Sequence, residues 1–276
     1  MPEFATAVPD DSTRAAIRAL ADRVEQEDGA PPLSDQTRTR LGSADVEHVV
    51  VHAGGKLVGY GQRDGDGAEI VAERSALDPL LDVVARPGLA LWSHGMHSRL
   101  NEPLAARGLA RVRDLYQLRR DLDDLPSDPP LAEGVTIRGF RPGADDDAWL
   151  AVNAAAFAHH PEQGRWTRAD LDARVAEPWF DADGFLLAHR GPELVGYHWT
   201  KVHPDGAGEV YVLGVAPAAQ GLGLGNALLV RGLRYLAGCG CPYVLLYVDG
   251  DNPGAVRLYE RAGFRRFDID VQWRFS

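Results

Sequence analysis

The chain repeats itself, and the repeat constrains the fold more than any single motif does. His52-Ala-Gly-Gly-Lys-Leu-Val-Gly-Tyr60 returns as His189-Arg-Gly-Pro-Glu-Leu-Val-Gly-Tyr197, at an offset of 137 residues. Leu89-Ala-Leu-Trp-Ser-His-Gly95 returns as Val244-Leu-Leu-Tyr-Val-Asp-Gly250, and Gly108, Gln117 and Arg119 return as Gly263, Gln272 and Arg274, all at an offset of 155. Two long offsets in the same order indicate a duplicated domain. The spacing predicts a first domain over residues 1–120, a Pro/Asp-rich linker over 121–132 and a second domain over 133–276. Each half reads as helix, hairpin strands, central strand, helix, strand, helix, strand. The helix signal rests on Ala15, Ile17, Leu20, Ala21 and Val24 in the first half and on Trp149, Leu150, Val152 and Ala156 in the second. The expected class is α/β: two tandem domains, each a mixed, mostly antiparallel sheet flanked by helices.

The offset grows by 18 residues between the hairpin and the strand after it. In that interval the second half runs from a β-rich stretch (Val210, Val212, Leu213) into a loop with Gly221, Gly223 and Gly225. An amphipathic helix follows through Ala227, Leu228, Leu229, Leu233 and Leu236. This order aims backbone N–H groups outward from a helix N-terminus, where a pyrophosphate can sit. The first half has only Glu69-Ile-Val-Ala-Glu-Arg-Ser-Ala-Leu-Asp-Pro79 there, so its phosphate loop is expected to be lost and the domain to serve as scaffold.

The net charge is -11 and the pI near 5.2, no basic patch of the kind a nucleic-acid or membrane binder usually carries is visible in the sequence, and no apolar run is long enough to span a bilayer. A cytoplasmic monomer with a small-molecule partner is the expectation. An acidic chain must also hold a pyrophosphate largely through backbone N–H groups. Cys239 and Cys241 form a lone Cys-x-Cys, poor grounds for zinc; they are read as reduced thiols, and no metal is expected.

Three features suit transfer of an acyl group to an amine, which needs a proton acceptor, donors for an oxyanion and a proton for the leaving group. Glu209 opens the strand that feeds the glycine loop, and strand alternation predicts that it shares a face with Tyr211 and Leu213. Tyr259 follows Asn252 by about two helical turns; Asn252 is placed to cap that helix and Tyr259 to deliver a proton. Backbone N–H groups around Leu213, Gly214 and Val215 could hold an oxyanion if the strand splays, and Gly214 hints at a bulge.

Gly-x-Gly-x-Gly alone is a weak signal. Joined to Asn252-x-x-Ala255-x-x-x-Tyr259 and Gly263-Phe264, it resembles the acetyl-CoA site of the GNAT superfamily of N-acetyltransferases. Within that superfamily, Phe157-Ala-His-His-Pro-Glu-Gln-Gly164, Gly196-Tyr-His-Trp-Thr-Lys-Val-His203 and Gly208-Glu-Val-Tyr-Val-Leu-Gly-Val215 are similar to the two-domain mycothiol synthase family. That resemblance implies acetylation of the cysteine amine of cysteinyl-glucosaminyl-inositol by acetyl-CoA. It implies Glu209 as base and Tyr259 as acid. It places Asp35, Glu162, Lys201, Glu209 and Tyr247 at the acceptor. It places acetyl-CoA against Leu213, Gly214 and Val215, against Gln220, Gly221, Leu222, Gly223, Leu224, Gly225 and Asn226, and against Asn252, Pro253, Gly254, Ala255, Val256 and Arg257.

Two positions depart from the family pattern. Leu222 stands where a basic residue is usual, which removes one phosphate contact. Asp35 stands where a glutamate is usual and is one methylene shorter. Two other readings stay open at this level: an acetyltransferase for another small amine, such as an aminoglycoside, polyamine or amino-acid conjugate, and a non-catalytic CoA-binding protein.

Overall fold

The computed structural model describes residues 2–160 and 163–275. The chain divides into two compact units, Met1–Tyr116 with Asp249–Asp251 and Asp268–Ser276, and Gln117–Val248 with Asn252–Phe267.

The first unit runs β1 (Glu3–Ala5), α1 (Asp11–Asp28), α2 (Asp35–Thr39), β2 (Glu47–Ala53), β3 (Lys56–Asp64), β4 (Gly67–Ala72), α3 (Arg74–Val84), β5 (Ala90–Ser93), α4 (Asn101–Ala106) and the start of β6 (Leu109–Asp121). Strands β1 to β5 lie in sequence order, antiparallel except for the parallel pair β4 and β5. Helix α1 begins where Asp10 accepts a hydrogen bond from Thr13 N at 2.7 Å and ends at Gly29. It buries Ile17, Leu20, Ala21 and Val24 with Val50, Tyr60 and Val71 of the sheet; Leu77, Leu80, Leu81 and Leu104 are buried in a second cluster with Val49, Val51 and Ile70.

A charged cluster sits inside this unit. His94 Nδ1 lies 3.1 Å from Asp270 Oδ2, and its Nε2 faces Glu69 Oε2 at 3.5 Å, an ion pair rather than a well-formed hydrogen bond. Glu69 also accepts from Ser34 N and Ser34 Oγ, each at 2.7 Å. Burial disfavours the His94 imidazolium, but Asp270 and Glu69 outweigh it and push the group up to about 10.

The second unit carries the end of β6, then β7 (Val135–Gly139), α5 (Asp146–Ala156), α6 (Arg168–Val175), β8 (Phe185–Arg190), β9 (Glu193–Val202), β10 (Gly208–Val215), α7 (Leu224–Gly238), β11 (Tyr243–Asp249), α8 (Pro253–Arg261) and the start of β12 (Arg265–Phe275). The sheet order β11-β10-β9-β8-β7 is antiparallel except for β10 with β11. One face is an aromatic cluster: Trp149, Phe185, Tyr197 and Trp199 are fully buried, with Trp149 edge-on to the other three. Such ring pairs add about 0.5–1.5 kcal/mol each beyond the area they bury. The other face packs Leu224 and Leu228 of α7 with Val195 and Ala188.

The duplication is visible element by element: β2, β3, β4, α3, β5, α4 and β6 correspond in order to β8, β9, β10, α7, β11, α8 and β12. Val271, Gln272, Trp273 and Arg274 of β12 pair with β5 in the first unit. In the second unit, Leu122 N, just after β6, donates to Pro242 O at 3.1 Å.

Candidate active site

The site begins where two parallel strands part. β10 pairs with β11 only at Gly208↔Val244 and Glu209↔Leu245, whereas its pairing with β9 continues to Val215↔Gly196. Ala216 N donates to Val195 O at 2.9 Å, which makes Val215↔Gly196 a non-hydrogen-bonded pair. Leu213 and Val215 therefore turn their N–H groups away from β9, toward the side that β11 has left open.

The register of β10 shifts between Val210 and Val212, so Tyr211 is the bulged residue. This corrects two sequence expectations. Gly214 is not the bulge; it pairs regularly with Tyr197, and a Cβ there would fall 2.8 Å from that ring and 3.1 Å from Phe157, so glycine is required by crowding. Leu213 does not share a face with Glu209 and Tyr211. The extra residue flips the alternation, and Leu213 and Val215 pack on the α7 side while Tyr211 and Val212 stay with the aromatic cluster.

After β10 the chain passes through residues 216–223 before α7, whereas in the first unit Glu73 alone separates β4 from α3. Gly221 and Gly223 have φ of 83° and 75°, in the left-handed region, and nothing lies within 4 Å of where their side chains would stand. They are glycines for backbone shape. Gly223 is the N-cap of α7 and offers no side-chain cap, so the N–H groups of Leu224, Gly225 and Asn226 point out of the helix unpaired within it. A Cβ at Gly225 would lie 3.5 Å from Leu258 of α8 and 4.0 Å from Val215 of β10, so the three segments expected to bind acetyl-CoA meet there. Asn252 caps α8, accepting from Ala255 N at 3.1 Å, with Pro253 in the first helical turn and Gly254 to Arg257 following. Gln220 and Leu222 are exposed in the loop.

Glu209 pairs with Lys201 across the hairpin and with Leu245 on β11, and Tyr247 is two residues beyond Leu245. Cross-strand partners share a face, as do alternate residues. Lys201, Glu209 and Tyr247 thus face one side of the sheet. Glu209 is buried, at 9% exposure; its Oε2 lies 4.0 Å from Lys201 Nζ and 2.7 Å from His203 Nε2. The Lys201 ammonium rests over the rings of Trp179 at 5.1 Å and Tyr211 at 5.7 Å. The Tyr247 hydroxyl accepts from Gln117 Nε2 at 2.8 Å.

Tyr259 is buried on α8, edge-on to Phe264 at 5.7 Å, and among the described residues nothing hydrogen-bonds its hydroxyl. Burial raises it well above the usual phenol range, so it stays protonated at any physiological pH. Glu162 lies outside the described residues. Its neighbour Gln163 is anchored by Asn153, whose Nδ2 donates to Gln163 O at 2.6 Å and whose Oδ1 accepts from Tyr197 at 2.6 Å. Asp35 is exposed at the start of α2 in the first unit. Among the described residues no cluster could hold a metal ion, and both cysteines are free, Cys239 exposed and Cys241 buried. A cavity of about 340 Å³ lined by Trp179, Phe180, Asp181, Thr200, Tyr235 and Cys239 includes none of the expected site residues; Thr200 faces away from Lys201.

Sequence reasoning assigned no role to His203 or Arg174. Arg174 Nε donates to the Tyr211 hydroxyl at 2.9 Å, and its guanidinium lies 4.0 Å from the Trp166 ring centre. The signal for His203 was the turn His203-Pro-Asp-Gly206, which makes it the diagonal neighbour of Glu209 once the hairpin register is known.

Residues 152–264 match the model of the acetyltransferase (GNAT) family. Among solved structures, a GCN5-related N-acetyltransferase from Sphaerobacter thermophilus superposes with a TM-score of 0.74 at 24% identity, over 98% of this chain and 94% of that one. A tandem GNAT protein from the clavulanic acid biosynthesis pathway gives 0.71 at 20% identity, over 99% and 98%. These share the fold. In sequence, the chain is 48% identical to a mycothiol acetyltransferase of Streptomyces avermitilis, over 94% of this chain and 90% of the relative. It is 46% identical to one of Thermomonospora curvata, over 94% and 92%. On that identity, over 94% of the chain, the chain belongs to the mycothiol acetyltransferase family.

Proposed function

We propose that this enzyme acetylates the cysteine amine of cysteinyl-glucosaminyl-inositol, with acetyl-CoA as donor, to give mycothiol. The observation that carries the reading is the parting of β10 from β11 immediately after Glu209. It sets open N–H groups, a buried carboxylate and the uncapped start of α7 around one opening in the sheet.

Acetyl-CoA supplies an electrophilic thioester carbonyl and a thiolate leaving group. The exposed N–H groups at the start of α7 and the unhindered Gly221 and Gly223 backbone fit its pyrophosphate. Glu209 takes the proton of the acceptor ammonium, directly or through one water, so that the amine can attack. The N–H groups of Leu213 and Val215 donate to the developing oxyanion. As the C–S bond breaks, Tyr259 gives its proton to the departing sulfur, and the proton that the nitrogen loses on becoming an amide restores the phenol through solvent. Lys201 and Tyr247, on the face of Glu209, bind the polyhydroxylated acceptor; the family resemblance also implies acceptor roles for Asp35 and Glu162. The first unit, lacking a loop between β4 and α3, acts as scaffold without a CoA site of its own. No helix among the described residues is long and apolar enough to cross a membrane.

The test is steady-state acetylation of cysteinyl-glucosaminyl-inositol beside free cysteine, aminoglycosides and polyamines. A preference of orders of magnitude for the conjugate is expected. Comparable or greater activity on another amine would keep the acetyl-transfer chemistry and remove this acceptor.

A further inference from the structure

We infer that His203 is a positioning residue for the base: it fixes one oxygen of Glu209 so that the other faces the acceptor. This rests on the assignment of Glu209 as base.

The placement follows from the hairpin. His203 N donates to Ala207 O at 2.8 Å and Gly206 N donates to His203 O at 2.9 Å, which closes the turn between β9 and β10. Asp205 Oδ1 accepts from Ala207 N at 3.1 Å and stiffens it further. With Glu209 opposite Lys201, His203 is its diagonal neighbour on the same face. The imidazole reaches Glu209 Oε2 at 2.7 Å, short enough for a charge-assisted hydrogen bond. A carboxylate only accepts, so Nε2 carries the proton and donates.

Lys201 Nζ stands 4.0 Å from the same Oε2. Both partners converge on one oxygen, and among the described residues Oε1 has no hydrogen bond. A free glutamate has three rotatable bonds and samples many orientations. Held through Oε2, Glu209 keeps Oε1 unencumbered for the ammonium proton or the water that carries it. Proton transfer needs that oxygen within about 3 Å of its target, so loss of the hold should lower turnover rather than cofactor binding. The contact also braces the hairpin, and a purely bracing role predicts a different pattern.

The experiment compares His203→Gln, His203→Asn and His203→Ala in the full-length enzyme, with kcat, KM for each substrate and the melting temperature. The Gln amide nitrogen stands at the same reach as imidazole Nε2; that of Asn falls short. We expect His203→Ala and His203→Asn to lower kcat by about 10-fold or more, with KM for acetyl-CoA unchanged, and His203→Gln to recover most of the loss. In a Glu209→Gln background, His203→Ala should cost little further, because the oriented group is already gone. An unchanged kcat in His203→Ala, or equal loss in the Gln and Asn variants, would overturn the positioning role. If Glu209→Gln itself leaves kcat intact, it is the base assignment that falls.

Discussion

The imidazole of His198 fills the space in which a side chain at Gly232 would stand: a β-carbon there would lie 2.1 Å from its Nδ1. The ring is fully buried between β9 and α7, and Nδ1 donates to Leu228 O at 2.9 Å. Burial pushes it down to about 4, so it is a neutral spacer at pH 7. In an open helix, Gly232→Ala would stabilise by roughly 0.5–1 kcal/mol. Here the ring must be displaced, and a net loss of about 1–3 kcal/mol is expected. Denaturant unfolding at pH 7 checks it; an unchanged or higher midpoint would show that the ring can withdraw.

The charged cluster of the first unit predicts how stability changes with alkali. His94 is raised to about 10 in the folded state, against about 6.5 for an unperturbed histidine. The native state therefore holds a proton that the unfolded chain releases. The stabilisation is complete below about pH 6.5 and fades as pH rises toward 10. His94→Gln, which leaves Glu69 and Asp270 without their cation, should cost roughly 3–5 kcal/mol at pH 7. It should also flatten the decline between pH 7 and 10. Unfolding free energies at several pH values decide this, and an identical slope in the variant would remove His94 as its source.

Replacing the base should show its effect where the amine is charged. An α-amino group titrates near 7.7–8.0, so at pH 7 most of the acceptor needs deprotonation. Glu209→Gln is expected to lower kcat about 100-fold at pH 7, with a smaller deficit at pH 9. Equal rates of variant and wild type from pH 6 to 9 would exclude the role.

Tyr259→Phe keeps the ring packed on Phe264 and removes only the hydroxyl. The single-turnover rate should fall about 100-fold while acetyl-CoA binding, measured by calorimetry, stays within a factor of three. A wild-type rate in this variant would rule out Tyr259 as the acid.

At the loop before α7, conformation and charge can be tested apart. Gly223 has φ of 75°, and an alanine held there is strained by about 1–2 kcal/mol. Gly223→Ala should raise the acetyl-CoA dissociation constant by roughly 10-fold. Leu222→Arg adds a cation at an exposed position and should tighten binding, more so at low ionic strength. No change in either variant would place the pyrophosphate away from this loop.

Some of this was written locally and could be read locally. The strand–glycine loop–helix order and the Asn252 cap each depend on side chains only a few residues apart, because turn chemistry and periodicity act at that range; the repeat needs only a comparison of the chain with itself. The bulge at Tyr211 was not legible: a strand inserts an extra residue only in relation to its partner, and β9 alone fixes that register. The same holds for the contact between His203 and Glu209, which exists only once Lys201 is set opposite Glu209. It holds for His94, whose charge is retained by Glu69 on β4 and by Asp270, 176 residues further along the chain. The sequence by itself determined the class of fold and the type of chemistry. Which side chains face one another was decided by strand pairing, because register is set by burial across the whole sheet and not by neighbours in the chain.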